Sequence, residues 1–258
     1  MSEARPLRRV GHKGADLLVK GNTIASFERA VEIGVEMVEF DVLRTRDGGP
    51  ELAADKRSPL VIAHDWGDAA SRDPHTLEEV LGAFTRAPLD SVEIDCDLKL
   101  PGREQELVAG LREHGLIERA MVSTMYVESL AAIRELEPRL RRGWTYPKVT
   151  RPWDKRPLAK PAVLAGLAVM KARLPRIVGR GVELVGADAV WVYHPVISKA
   201  LVRSTRELGI ELIAWTVDDP ARIAELRELG VDGIVSNDPR LLAPQPDAQD
   251  VYPAVPDG

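Results

Sequence analysis

Along the chain, short runs of alternating or continuous apolar residues end in one or two polar ones, and an amphipathic stretch follows. The runs are 8–12, 37–43, 59–64, 91–99, 120–124, 140–145, 189–194, 211–217 and 232–236. The link between the second and third, RTRDGGPELAADKRS, is rich in turn residues and too broken for a helix. Residues 59–64 are therefore predicted to fold back as a hairpin partner of 37–43. Eight strands remain, each followed by a linker that can hold a helix. The helix signals are local. Asn22-Thr23 precedes an apolar stripe at Ile24, Phe27, Val31 and Ile33, and Gly34 stops it. Thr76 with Glu79 forms a capping-box pattern, and Pro220 and Gly230 bracket another helix. Alternating strand and helix with both sheet faces covered predicts an α/β fold, a TIM (β/α)8 barrel with an extra hairpin strand after strand 2. Residues 1–242 are expected to form one domain. The stretch 147–161, with four prolines, reads as a loop, and 243–258 as a disordered tail.

The 258 residues suit that single barrel. Lys and Arg total 35 against 40 Asp and Glu, a net charge of −5, which excludes a general nucleic-acid binder. One cysteine argues against a disulfide-stapled secreted domain. The N-terminal segment has no apolar core of a signal peptide, and the longest apolar run, 162–170, is half a membrane span. The expectation is a cytoplasmic protein with no transmembrane segment.

In a barrel of this type, side chains at the C-terminal strand ends face the active site. Those ends carry His12, Glu39, Asp41, His64, Asp97 and Lys99. Residues i and i+2 share a strand face, so Glu39 and Asp41 point the same way, about 7 Å apart at their Cα atoms. Glu93, Asp95, Asp97 and Lys99 likewise share the inward face of their strand. Unpaired buried carboxylates are costly, so a cation near Asp97 is expected, with Glu93 and Asp95 deeper and pairing with arginines. An all-oxygen ligand set favours one hard divalent ion, Mg2+ or Ca2+. The histidines are then free for proton transfer. His75 and His114 read as surface residues. His194 reads as pocket wall or cap. Trp144 and Tyr146 read chiefly as packing, with a place in the pocket left open.

The segments GHKGA, GNTIASFERAVEIGVEMVEFDV and LVIAHD in 11–65, then DLKLPG, AWTVDDP and LGVDGIVSNDP, resemble the glycerophosphodiester phosphodiesterase family in order and spacing. The resemblance implies a metal-dependent phosphodiesterase that hydrolyses glycerophosphodiesters to an alcohol and glycerol phosphate. Position by position, it implies His12 and His64 as the catalytic acid/base pair and Glu39, Asp41 and Asp97 as metal ligands. Lys13, Lys99 and Trp215 would bind substrate. Three positions depart from the family pattern. Lys13 stands for an arginine, Gly21 for a glutamate, and Asp97 for a glutamate one methylene longer. The 26 residues at 65–90 also leave the family's insertion short or missing. Three other readings stand beside this one. The first is a lysophospholipase D or sphingomyelinase D-like enzyme on lipid diesters, with peripheral membrane contact through 147–170. The second is a Schiff-base lyase using Lys99. The third is a catalytically inactive metal-binding barrel.

Overall fold

The computed structural model describes residues 6–44, 60–148 and 160–243. Eight parallel strands close a barrel. They are β1 (Arg8–Gly11), β2 (Met37–Arg44), β4 (Glu93–Leu98), β5 (Ala120–Thr124), β6 (Arg141–Tyr146), β7 (Ala189–Tyr193), β8 (Glu211–Trp215) and β9 (Gly233–Ser236). The ring closes where β1 pairs with both β9 and β2. β3 (Leu60–Ile62) lies antiparallel on β2, Val42 opposite Ile62, as the turn-rich link predicted. The link itself falls outside the described residues.

The outer layer is α1 (Ile24–Ile33), α2 (Trp66–Ser71), α3 (Leu77–Ala83), α4 (Glu104–Glu113), α5 (Val127–Leu136), α6 (Lys160–Val185), α7 (Lys199–Leu208) and α8 (Pro220–Leu229). Thr23, not Asn22, caps α1 by accepting from the Ser26 N–H, and Gly34 ends it in the left-handed region. The capping box Thr76–Glu79 is formed. The buried face of α1 is Ser26, Phe27 and Ala30, with Ile24, Val31 and Ile33 only partly covered. Only α2, α3 and one 3-10 turn lie between β3 and β4, and after β9 the described chain has a 3-10 turn (Pro239–Leu242) in place of a helix. The predicted loop 147–161 is corrected at its end, where Lys160 and Pro161 already belong to α6. A proline is tolerated in a first helical turn because its missing N–H has no partner there. Ala243, the first residue of the predicted tail 243–258, is placed, its N–H on the Arg240 carbonyl; residues 149–159 and 244–258 lie outside the described residues.

The barrel interior is layered. At the floor, Arg8 and Arg141 alternate with Glu93 and Glu211, each arginine touching both glutamates. That resolves Glu93 as predicted. Above it lie Val10, Met37, Met121, Ala189, Trp191, Ile213 and Val235, an apolar plug. Asp95 sits in this zone without an arginine partner among the described residues, contrary to expectation; its Oδ2 accepts from the Ser123 hydroxyl at 2.7 Å. Burial pushes its carboxyl well above the ordinary range. Ser123→Ala removes that donor, and a loss of ~1–3 kcal/mol of stability is expected for the stranded carboxyl. An unchanged melting curve would contradict this pairing.

Candidate active site

The carboxylates meet because of register. Asp41 on β2 stands opposite Asp97 on β4, and Glu39 opposite Asp95 one layer below. Glu39, Asp41 and Asp97 each offer an oxygen within 4.8 Å of the others. Lys99, beside them, contacts Asp97 at 2.5 Å and also touches Asp41. Three carboxylates against one adjacent ammonium leave two excess negative charges. Burial, then the Asp41 charge, raises Glu39 well above its ordinary range; burial raises Asp97 as well, against the pull of Lys99. Burial pushes Asp41 up too, but Lys99, aided by His64, Lys13 and His12, outweighs it and holds Asp41 below its ordinary value. Such an all-oxygen, charge-excess cluster fits a hard divalent cation. Burial opposes charge on Lys99, yet Asp41, Asp97 and Glu39 together hold its pKa above the ordinary value. A permanently charged lysine is a poor Schiff-base nucleophile.

Asn22 was predicted only as a helix cap, but it is a site residue. It is 1% exposed, and its amide grips Asp41 twice: Nδ2 donates to Oδ2 at 2.8 Å, and Oδ1 accepts from the Asp41 N–H at 3.0 Å. Asn22 and Lys13 are the two non-glycine residues with positive φ, +59° and +50°, among those described. Such backbone strain is held where the surroundings over-determine it. In this conformation the Lys13 N–H donates to Glu39 at 2.9 Å. The missing glutamate at position 21 also has a physical counterpart. A Cβ on Gly21 would collide with the Asp16 carboxylate, which accepts from the Gly21 N–H at 2.8 Å and lies 3.6 Å from the Lys13 ammonium. A side chain at 21 would therefore have to displace the Asp16 carboxylate from the Gly21 N–H.

The two histidines stand at the rim with their Nδ1 atoms occupied. His12 Nδ1 faces Asn237 Oδ1 at 2.5 Å. Asn237 Nδ2 donates to Asp218 at 2.6 Å, and a carboxylate only accepts, so the amide orientation is set and His12 carries its proton on Nδ1. Its Nε2 then has a free lone pair, 3.9 Å from Glu39. Asp218 is itself fixed by the Ser236 hydroxyl and the Asn237 N–H. Burial, then the Lys13 charge, lowers His12 to about 4. In the metal-free protein, NMR titration of this imidazole should therefore show a midpoint near 4; one at or above 6.5 would contradict the buried environment. His64 follows β3, and its side chain is 55% exposed against 22% for His12. Its Nδ1 lies 3.3 Å from Asp65, which caps α2 through the Asp68 N–H. The relay behind His12 escaped sequence reading because SND and VDDP look like turns.

Asn237→Ala is expected to lower kcat by ~10–100-fold, a magnitude typical of groups that orient a functional histidine. KM should hardly move, because the amide touches His12 and not the site's open space. A fall in affinity at constant kcat would defeat the positioning role.

The opposite wall is aromatic. Trp215 stacks 5.5 Å from Tyr193, against the barrel plug, and its indole N–H is buried without a hydrogen-bond partner among the described residues. His194 continues this wall, 5.3 Å from the Tyr193 ring, with Arg222 bonded to its carbonyl and ring. Trp144 and Tyr146 point the other way. They occupy the outward positions of β6 and pack among the helix-side core, Trp144 against Gly181 of α6, so they do not line the pocket. Gly143 and Thr145 hold the inward positions. The His114 ring contacts the Gly110 carbonyl and lies 3.3 Å from Glu78, and the His75 ring lies 3.9 Å from Glu79, so neither imidazole contacts the carboxylate cluster.

With this geometry in place, residues 12–83 and 74–241 match the glycerophosphoryl diester phosphodiesterase family. The chain belongs to that family. It is a phosphoric diester hydrolase by membership. A glycerophosphodiester phosphodiesterase of Caldanaerobacter subterraneus is 27% identical over 90% of this chain and 95% of its own. The crystal structure of a glycerophosphodiester phosphodiesterase from Parabacteroides distasonis shares the fold, with a TM-score of 0.66 at 20% identity, over 90% of this chain and 94% of that one. An Oleispira antarctica phosphodiesterase, solved with the product sn-glycerol-3-phosphate, aligns with a TM-score of 0.62 at 19% identity, over 91% and 94%.

Proposed function

We propose that this chain hydrolyses glycerophosphodiesters with one divalent cation held by Glu39, Asp41 and Asp97. The observation that carries the reading is the convergence of these three carboxylates beside two histidines whose Nδ1 atoms are both anchored. Mg2+ or Ca2+ there would neutralise the carboxylates and polarise the phosphoryl group. Lys99 and Lys13 add positive charge for the phosphate. His12 is neutral, with Nε2 free, so it accepts a proton from the attacking water as the new P–O bond forms. His64 is open to water and donates a proton to the departing alkoxide as the other P–O bond breaks. Each such proton transfer contributes typically about 10²–10⁴-fold. Trp215 and Tyr193 form the wall against which the organic part of the diester rests.

The test is ³¹P NMR of glycerophosphocholine and glycerophosphoethanolamine incubated with the protein in ¹⁸O-water. Glycerol phosphate as product, with one ¹⁸O on phosphorus, supports hydrolysis by P–O cleavage on the choline or ethanolamine side. Release of phosphocholine would place the broken bond on the other side of phosphorus and overturn the reading.

A further inference from the structure

Helix α6 has 26 residues, about 39 Å at 1.5 Å per residue, whereas α1, α4, α5, α7 and α8 have 10 each. Its second half buries one face, Leu174, Val178, Val182 and Val185, and leaves Ile177 and Leu184 exposed on the other. Its first half has no such buried face among the described residues. Leu164 is 66% and Val169 53% exposed, and Ala165, Ala168 and Ala172 are exposed with them; only Leu167 and Met170 pack partly inward. The next two turns carry Lys171, Arg173, Arg176 and Arg180, all exposed and without an ion-pair partner among the described residues. From 160 to 182 the sequence has no Asp or Glu, in a chain whose net charge is −5. Because α6 leaves the C-terminal end of β6 and runs back down the barrel, its apolar first half lies at the same end as the carboxylates. Two more exposed apolar residues border the site there. Leu17, 64% exposed, has its N–H on the Asn237 carbonyl, and Trp66 follows His64 by two residues.

We propose that this rim docks on an anionic lipid bilayer. The apolar first half of α6 enters the headgroup region and the arginine band lies at the level of the phosphates. A helix with an apolar surface and adjacent unpaired cations is suited to that interface. A second copy of the chain is the poorer occupant, because the same stretch of its α6, with no Asp or Glu from 160 to 182, offers the arginine band no anionic partner. The docking rests on the exposed surface and not on the diester reading. It would place the mouth of the site toward the membrane, where lipid-derived diesters are released.

The experiment is vesicle flotation of the full chain with phosphatidylcholine alone and with phosphatidylcholine containing phosphatidylglycerol. We expect at least tenfold tighter binding to the anionic vesicles, weakened by high salt. Leu164→Asp with Val169→Asp should reduce binding at least tenfold, and Arg173→Glu with Arg176→Glu should remove the anionic preference. Both double variants should keep the parent's melting temperature and its turnover of soluble glycerophosphocholine. No binding to anionic vesicles, binding unaffected by both variants, or self-association through Leu164 and Val169 without vesicle binding would each overturn the proposal. Loss of diester hydrolysis with docking intact would overturn only the catalytic reading.

Discussion

His12→Ala is expected to lower kcat on a glycerophosphodiester by at least about 10²-fold while the barrel stays folded, the range that loss of one positioned acid or base produces. The imidazole is half-buried, held in one tautomer by Asn237 and Asp218, and presents Nε2 beside Glu39. Its low pKa leaves it neutral across the neutral range, so it enters the reaction ready to take a proton. Its contribution to folding has a definite sign as well. A histidine whose folded pKa lies below its unfolded value costs stability as pH falls from about 6.5 toward 4. The Ala variant should therefore lose less stability than the parent over that window. Equal kcat in the two proteins, or an acid-stability gap of the opposite sign, would remove His12 from its role.

Glu39→Gln is expected to separate stability from function. In the metal-free protein Glu39 is a buried carboxylate crowded by Asp41 and Asp97, and its pKa is raised. A raised carboxyl contributes its full stability below its unfolded pKa and loses it as pH rises through the folded one. Gln can keep the Lys13 N–H bond through its carbonyl oxygen while removing the charge. The metal-free variant should thus be more stable than the parent, by roughly 0.5–2 kcal/mol, and its advantage should be larger at pH 8 than at pH 5. Divalent-cation affinity should fall on the order of 10²-fold with one charged ligand gone, and turnover should fall with it. Calorimetric titration with Ca2+ and Mg2+, paired with thermal melts at the two pH values, reads both effects. Unchanged cation affinity, or an advantage that shrinks with pH, would contradict the ligand assignment.

Both residues were legible in the sequence because parity and strand-end position are local properties. Once 37–43 is a strand, Glu39 and Asp41 must share its inner face, and the closed ring of β1–β9 then brings His12 beside them. The floor was only half legible. Glu93 meets arginines as its depth suggested, but Asp95 meets Ser123 of the neighbouring strand, a choice set by barrel register. The positioning groups were missed for the same reason. Asp218 and Asn237 lie 19 residues apart and come together only because β8 and β9 are neighbours, and a turn-like spelling gives no hint of it. Asn22 looked like a cap because Asn commonly is one; its grip on Asp41 depends on a positive φ that the one-dimensional pattern does not reveal. Trp144 and Tyr146, judged by strand end alone, left a pocket role open that parity closes, since Gly143 and Thr145 take the inward positions.

The most direct test of the central claim is turnover of glycerophosphocholine by purified protein stripped with EDTA, then resupplied with Mg2+ or Ca2+, beside His12→Ala under the same conditions. The structure predicts no turnover in EDTA, recovery with one of the two cations, and loss of at least about 10²-fold in the variant. Turnover that is equal with and without cation, or equal in the variant, would contradict the three-carboxylate, two-histidine site.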